Sequence, residues 1–249
     1  MFDEQPPVSR YDEIAAALAA VRGRVDAACR AAGRDPADVV LLPVTKFFPA
    51  EDVRILYDLG CREFGESREP EASGKVARLR ADAAVVDPIR WHMIGRLQRN
   101  KVKTVSRWAQ VVHSLDSLRL ADALDTAVGA ARDAGERENS LDVLLQVSLD
   151  TDPARGGVPV DDVAVLAERV AASSNLVLRG VMAVPPLGSD VEVEFARLAE
   201  VHAGLLRDHP SATVVSAGMT GDLESAIRHG STCVRVGTAI LGRRPIVSQ

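Results

Sequence analysis

Cysteine and histidine are scarce in this 249-residue chain, and none of them is spaced as metal ligands or disulfide partners usually are. The three cysteines, Cys29, Cys61 and Cys233, are odd in number and far apart, and no CxxC pair occurs. The five histidines stand singly along the chain. A disulfide framework and a structural zinc site are therefore not expected, and we predict no metal ligands.

Long apolar runs and an excess of positive charge are also missing. No apolar segment approaches the ~18 residues that a membrane-spanning helix needs. The first ten residues, MFDEQPPVSR, lack the basic and apolar regions of a signal peptide. The formal net charge of -5 argues against a general nucleic-acid binder, whose domain is usually basic. We therefore expect a cytoplasmic protein that binds neither membranes nor nucleic acids.

The chain does contain a regular alternation of strand-like and helix-like segments. A first helix is predicted over residues 9–32, with Ser9 as its N-cap and apolar residues at helical spacing. Helical patterns further along include residues 50–59, 117–134, 160–172 and 191–208. Short apolar or β-branched runs predict strands at residues 39–45, 62–65, 90–94, 111–114, 143–148, 178–184, 212–215 and 233–236.

Eight strands that alternate with helices indicate parallel βαβ units. In a chain of this length they predict an α/β fold, a single (β/α)8 TIM-type barrel with an extra N-terminal helix. We place residues 1–249 in one domain, with residues 1–38 as the N-terminal extension and helix and residues 39–245 as the barrel. The alternative, a doubly wound sheet, would need a glycine-rich nucleotide turn after its first strand, where the segment TKFFPAED contains no glycine.

A lysine follows the first predicted strand directly. Function in these barrels lies at the carboxyl ends of the strands, so Lys46 is expected at the edge of the active face. An ordinary lysine there extends into water along its aliphatic stem. A partly desolvated lysine could instead form a Schiff base with an aldehyde. This segment alone leaves both interpretations open.

The segments after the last two strands are suited to an anion. In SAGMTGDLESAIRHGS a turn leads into a helix that we expect to begin near Thr220, whose amino end would offer free N–H groups. In VRVGTAILG, Gly237 and Thr238 follow the last strand and can present backbone amides closely. Ordinary helix capping and a glycine turn would explain either segment alone. Together, after strands seven and eight, they favour a phosphate site.

An arginine in the last strand adds a third indication. In the CVRV segment the valines suit the helix layer, so Arg235 is expected to point into the barrel. A buried guanidinium needs acceptors, which a buried carboxylate or a ligand could supply. Lys46 for an aldehyde, Thr220 and Gly237 for a phosphate, and Arg235 for a ring nitrogen together suit pyridoxal phosphate.

Six motifs carry a resemblance to a known family. They cover nearly the whole chain after the first helix, and they occur in the right order. They are PVTK ending at Lys46, EFGES at 63–67, WHMIGRLQRNK at 91–101, RGVMAV at 179–184, SAGMTGDLESAI at 216–227 and VRVGTAILG at 234–242. On these motifs the sequence resembles the pyridoxal phosphate homeostasis protein family, whose fold is like the barrel domain of alanine racemase.

The resemblance implies a protein that holds pyridoxal phosphate as a Schiff base on Lys46 and buffers or delivers it without catalysis of its own. Apo-enzymes that need the cofactor would be the recipients, and we expect a monomer or a weak dimer. The cofactor contacts that carry over are the ring-nitrogen contact of Arg235, the phosphate contacts of Thr220, Gly237 and Thr238 and, more loosely, contacts of Ser216 and Met219.

Two further positions belong to the predicted cofactor site. The family usually has asparagine, often followed by tyrosine, where this chain has Ser67 and Arg68. Serine keeps a hydroxyl but lacks the reach of the amide, so its contact would be weaker or mediated by water. His92 alternates with Trp91 and Met93 on the third strand and is expected to point inward beneath the cofactor, unless it is a core histidine.

The alternative function is that of a pyridoxal phosphate-dependent amino-acid racemase or a related fold-type III enzyme. A two-base racemase needs a second acid–base group opposite the lysine, such as a tyrosine from a second domain, for which we see no room before Gln249. The only tyrosines, Tyr11 and Tyr57, are not at predicted strand ends. An aldolase-type barrel would need carboxylates around the lysine, and no inward acid beyond Glu66 is evident. We therefore predict no catalytic residues.

Overall fold

A computed structural model describes residues 9–150 and 155–243 of the chain. Its strands are β1 Val40–Pro43, β2 Glu63–Glu66, β3 Arg90–Met93, β4 Val111–Leu115, β5 Leu141–Gln146, β6 Leu176–Met182, β7 Val214–Ser216 and β8 Cys233–Val236. Its helices are α1 Arg10–Ala31, α2 Ala50–Asp58, α3 Glu71–Arg80, α4 Val102–Trp108, α5 Leu118–Asp133, α6 Val163–Ala171, α7 Val191–Asp208, α8 Leu223–Arg228 and α9 Thr238–Leu241.

The eight strands are parallel and form a nearly closed barrel. Their order in the sheet is β1-β8-β7-β6-β5-β4-β3-β2, so the first strand pairs with the last. In that pair Leu42 stands opposite Arg235. The ring is completed between β1 and β2 by a bridge from Val44 to Gly65. The barrel prediction is confirmed, and the doubly wound alternative is wrong because an open sheet leaves its edge strands apart.

The sequence pattern located the strands closely, because each predicted strand end lies within two residues of the observed one. Buried parallel strands read as short apolar runs, which is the pattern the sequence shows. The segments that the helix pattern did not single out are α3, α4 and α9. The assignment of residues 1–249 to one domain stays a prediction.

The N-terminal helix α1 packs on the outside of the barrel beside α8 and α9. Ser9 caps it as predicted, since its Oγ accepts a hydrogen bond from the N–H of Asp12 at 3.1 Å. Its buried stripe consists of Ile14, Leu18, Val21, Val25 and Cys29. Each large aliphatic side chain fully buried in this way contributes about 1.5–3 kcal/mol, so α1 is firmly attached.

Within the described residues, no helix combines the length and the apolar composition needed to cross a membrane.

Candidate functional site

The carboxyl ends of four neighbouring strands, β7, β8, β1 and β2, form one edge of the barrel, which we call the rim. The loops that follow these strands carry most of the predicted site residues. They are Met219 and Thr220 after β7, Gly237 and Thr238 after β8, Lys46 after β1 and Ser67 after β2. Parallel pairing of consecutive strands therefore brings these six residues to the same edge.

The turn that carries Lys46 has an unusual backbone. The N–H of Thr45 donates to the carbonyl oxygen of Gly65 at 2.9 Å. The N–H of Phe48 donates to the carbonyl oxygen of Thr45 at 3.1 Å. Phe47, the residue after Lys46, has a φ of 70°. A bulky residue in the left-handed region costs about 1–2 kcal/mol and persists only where its surroundings hold it. The half-buried Lys46 is thus presented by a strained turn.

A buried ionic cluster holds both neighbours of Lys46 in the chain. On α3, Lys75 places its Nζ 2.5 Å from Glu66 Oε1 and 2.8 Å from the carbonyl oxygen of Thr45. The hydroxyl of Thr45 donates to the same Glu66 oxygen at 2.6 Å. Glu71 accepts a hydrogen bond from the N–H of Phe47 at 2.5 Å. These contacts stabilise the left-handed backbone conformation of Phe47 and fix the backbone position of Lys46.

Glu66 does not point toward the barrel interior, which corrects the sequence-based suggestion of an inward acid. Its carboxylate is fully buried against α3, where it pairs with Lys75. Burial raises the pKa of Glu66, and the nearby Lys75 ammonium opposes that rise. Its second oxygen has no hydrogen-bond partner within the described part of the chain. Glu66 therefore belongs to the support of the Lys46 turn.

Replacing Lys75 by methionine tests this support. The substitution leaves the Glu66 carboxylate buried without its cation, so we expect Lys75→Met to lower the free energy of unfolding by about 3–5 kcal/mol. Urea denaturation measures the loss. The exposed Lys103, on α4, is the matched control, and Lys103→Met should change stability by less than about 0.5 kcal/mol. A loss below about 1 kcal/mol for Lys75→Met would contradict the role of the pair.

The loop after β7 differs from the prediction, because helix α8 begins at Leu223 and not near Thr220. A turn intervenes, in which the N–H of Asp222 donates to the carbonyl oxygen of Met219 at 3.2 Å. The Asp222 carboxylate in turn accepts the N–H of Met219 at 2.6 Å. Any anion bound here would contact the loop rather than a helix end, and the N–H of Met219 is already engaged.

Free amides nevertheless remain on the rim. Within residues 9–150 and 155–243, no hydrogen bond uses the N–H of Thr220 or that of Gly237. Gly237 lies tightly against β1, because a Cβ added there would be 3.1 Å from the carbonyl oxygen of Val44. Thr238 is exposed and Thr220 is half-buried. These loops have the small residues and the open donors that a phosphate needs.

Ser67 is half-buried directly after β2. Its backbone packs on Gly95, where an added Cβ would lie 2.5 Å from the carbonyl oxygen of Ser67. The next residue, Arg68, places its guanidinium 4.9 Å from the centre of the Phe47 ring, and Lys46 Nζ lies 5.8 Å from the same centre. The structure thus brings Ser67 near the Lys46 turn, and its contact with a cofactor stays a prediction.

Arg235 points into the barrel as its place in β8 predicted. Its side chain donates to Ser216 Oγ at 2.6 Å through Nη1 and to the carbonyl oxygen of Ala183 at 3.1 Å through Nη2. Only 5% of Arg235 is exposed, and burial lowers the pKa of its guanidinium. Among the described residues it forms no ion pair with a carboxylate, so the protein alone does not neutralise this charge. Uncompensated buried charges are expensive, which indicates a missing acceptor.

His92 is buried and inward, but it faces the opposite end of the barrel. It lines a cavity of about 670 Å³ at the amino ends of the strands, together with Glu63 and Arg90. Its ring contacts that of His113, with 2.9 Å between Nδ1 and Nε2. His113, on β4, was missed in the sequence, where it looks like one polar residue in an apolar run. The structure does not bring His92 to the rim, and its direct cofactor contact stays a prediction.

Comparison with known proteins agrees with this geometry. The family model described as "Alanine racemase, N-terminal domain" matches residues 17–245. The pyridoxal phosphate homeostasis protein of Mycobacterium leprae (strain TN) is 50% identical over 240 residues, covering 94% of this chain and 93% of the relative. The chain belongs to the pyridoxal phosphate homeostasis protein family.

Solved structures extend the comparison. PipY of Synechococcus elongatus PCC7942, solved with PLP bound, has a TM-score of 0.77 and 32% identity, covering 92% of this chain and 100% of its own. Alanine racemase of Clostridium difficile 630 has a TM-score of 0.68 at 13% identity, covering 95% of this chain and 58% of its own, which shows the fold alone.

Lysine is scarce in this member of the pyridoxal phosphate homeostasis protein family. The sequence contains Lys46, Lys75, Lys101 and Lys103 and no other lysine. Lys75 is held in the buried ionic cluster, and the last two lie at the start of α4. Lys46 is therefore the one lysine that follows a strand of the rim.

Proposed function

We propose that this chain binds pyridoxal phosphate as a Schiff base on Lys46 and buffers or delivers it to apo-enzymes, without catalysis of its own. The observation that carries the proposal is the buried Arg235 guanidinium, which has no carboxylate partner in the described part of the chain. Its strand, β8, pairs with β1, the strand that ends before Lys46, and Gly237 follows β8 directly. The cytoplasmic location, the single domain and the weak dimer or monomer stay predictions.

The chain's groups match the three polar ends of this cofactor. Pyridoxal phosphate supplies an aldehyde, a phosphate dianion and a ring nitrogen that can accept a hydrogen bond. Lys46 would take the aldehyde, the loop amides at Thr220, Gly237 and Thr238 would bind the phosphate, and Arg235 would donate to the nitrogen. Ser216 holds Arg235 and Ser67 borders the Lys46 turn, so both would act near the cofactor.

Titration with pyridoxal phosphate tests binding directly. We expect a visible absorbance band of a protonated Schiff base that saturates at one cofactor per chain, with the protein turning yellow. A difference spectrum that stays featureless, or that rises without saturation, would contradict the proposal.

Two features together support a carrier; the first alone does not forbid catalysis, since racemases of this fold resemble the chain there. An arginine is permanently charged and can only donate, so it should hold the ring nitrogen unprotonated and weaken the ring as an electron sink. Neither tyrosine stands on the rim: Tyr11 is exposed on α1, and the hydroxyl of Tyr57 on α2 accepts the N–H of Asp87 at 2.8 Å. The second base of a racemase is thus not supplied by a tyrosine at this site.

Proton exchange at the α-carbon of amino acids in deuterated water tests the absence of catalysis. With alanine, serine or glutamate we expect the loaded protein to exchange no faster than free pyridoxal phosphate, because its electron sink is weakened and no tyrosine supplies a second base. Arg235→Glu should raise the slow exchange in a variant that still folds and binds. Rapid, saturable exchange by the unaltered protein would favour the racemase alternative.

A further inference from the structure

A continuous line of buried polar groups crosses the barrel behind Arg235. Arg235 Nη1 lies 2.6 Å from Ser216 Oγ, which lies 3.0 Å from His113 Nδ1. His113 Nε2 lies 2.9 Å from His92 Nδ1. At its far end, His92 Nε2 lies 3.1 Å from Glu63 Oε2, a close polar contact whose angle falls outside hydrogen-bond geometry. Four strands besides β8 contribute to this line, which no local sequence motif connects.

The permanent charge of Arg235 fixes the direction of the first two bonds. An arginine can only donate, so Ser216 Oγ accepts from it and has one proton left to give. The acceptor within reach of that proton is His113 Nδ1. The other nearby group is the thiol of Cys233, whose pKa burial raises to about 11, so it stays protonated and accepts weakly. His113 must then be unprotonated at Nδ1.

The remaining bonds follow from the first two. With Nδ1 as acceptor, a neutral His113 carries its proton on Nε2 and donates it to His92 Nδ1. His92 in turn carries its proton on Nε2, facing the Glu63 carboxylate. The reverse arrangement would direct an unprotonated nitrogen of His92 at that carboxylate, which is unfavourable. Both rings are therefore neutral, which agrees with burial lowering the pKa of each.

We propose that His113 is a positioning residue for Arg235, which it aims at the cofactor through Ser216. The inference deepens the proposed function and rests on it. By accepting the only proton of Ser216, His113 turns the lone pairs of that hydroxyl toward Arg235 Nη1. Without this acceptor the hydroxyl rotates freely between partners, and the guanidinium loses Ser216 Oγ, its one side-chain acceptor within the described residues, and keeps the carbonyl oxygen of Ala183. Arg235 would then meet the ring nitrogen less often in the right geometry.

Nitrogen-15 spectra of the histidines in the cofactor-free protein test the bond direction independently of cofactor binding. We expect both His113 and His92 to be neutral near pH 7 and protonated on Nε2, with His92→Asn and His113→Asn assigning the signals. Protonation of His113 on Nδ1, or a doubly protonated ring, would overturn the inference whether or not the protein binds pyridoxal phosphate.

The effect on the cofactor is measured with two variants of the same residue. His113→Leu removes the acceptor and should weaken pyridoxal phosphate binding on the order of tenfold, because one buried donor loses its partner. His113→Asn can place its amide oxygen near the position of Nδ1 and should stay within about threefold. Val111 is on the same strand and lines the same cavity. Val111→Ala controls for the loss of buried side-chain volume and should leave the affinity for pyridoxal phosphate unchanged.

A third variant covers the case in which His113→Leu does not fold. Ser216→Ala removes the link itself, and we expect it to weaken binding as much as His113→Leu, with no further loss when both are combined. Additive losses, or an equal loss for His113→Asn and His113→Leu, would overturn the positioning role. Failure of the unaltered protein to bind the cofactor would instead refute the proposed function, even with the expected histidine spectra.

Discussion

Lys46→Ala is expected to abolish the covalent attachment of pyridoxal phosphate. Reduction of the loaded, unaltered protein with borohydride should fix one pyridoxyl group on Lys46, because this lysine alone follows a strand of the rim. In Lys46→Ala no group should be fixed, and the visible absorbance band should disappear. Peptide mass mapping after reduction measures both results.

Because the chain has only four lysines, a single variant serves as the control for the site of attachment. Lys101→Ala removes a lysine at the start of α4 and should leave both the fixed group and the colour intact. Lys46→Ala should still bind the cofactor weakly without a covalent bond, because the phosphate contacts at Thr220, Gly237 and Thr238 remain. An adduct that maps to Lys75, Lys101 or Lys103 in the unaltered protein would refute the assignment of the Schiff base.

Thr220→Asp is expected to weaken pyridoxal phosphate binding on the order of 100-fold. At ~5 Å and an effective dielectric of about 20, one pair of unit charges repels by about 3 kcal/mol, which corresponds to about 100-fold in Kd. Equilibrium titration of the absorbance measures the change in Kd. Asp222 already precedes helix α8, so an aspartate at position 220 adds no cap and the stability of the fold should stay nearly constant.

Thr220→Asn is the matched control for charge, since it has nearly the same size as the aspartate and carries none. We expect it to stay within about fivefold of the unaltered protein. Equal losses for both variants would assign the effect to shape. Unchanged affinity in Thr220→Asp would mean that the anion site lies elsewhere than in the loop after β7.

The rim and the cavity at the other end of the barrel divide the polar groups of the interior. Lys46 and the amide-bearing loops lie at the carboxyl ends of the strands, where barrel enzymes bind their ligands. His92, Arg90 and Asp142 lie at the amino ends, where Asp142 pairs with both Arg90 and Arg179. Residues at this end of such barrels usually serve stability. His113 and Ser216 connect the two ends of the barrel through the buried polar line.

The sequence by itself determined the fold class and the places of the key residues along the strands. Periodicity is a local property, so the apolar runs and helical patterns located the strands to within two residues. The two-residue alternation of β8 was enough to turn Arg235 inward. The position of Lys46 followed from the predicted end of the first strand, without knowledge of the residues that contact its turn.

Only the tertiary structure decided which side chains meet. Lys75 reaches Glu66 because α3 packs outside β2, and His113 reaches Ser216 because the barrel brings β4 and β7 to face one interior. In the turn before α8, the N–H of Met219 donates to the side chain of Asp222. This turn takes the place of the earlier helix start that the sequence predicted near Thr220. Such contacts depend on strand register, barrel closure and loop conformation, which a one-dimensional pattern of polarity does not encode.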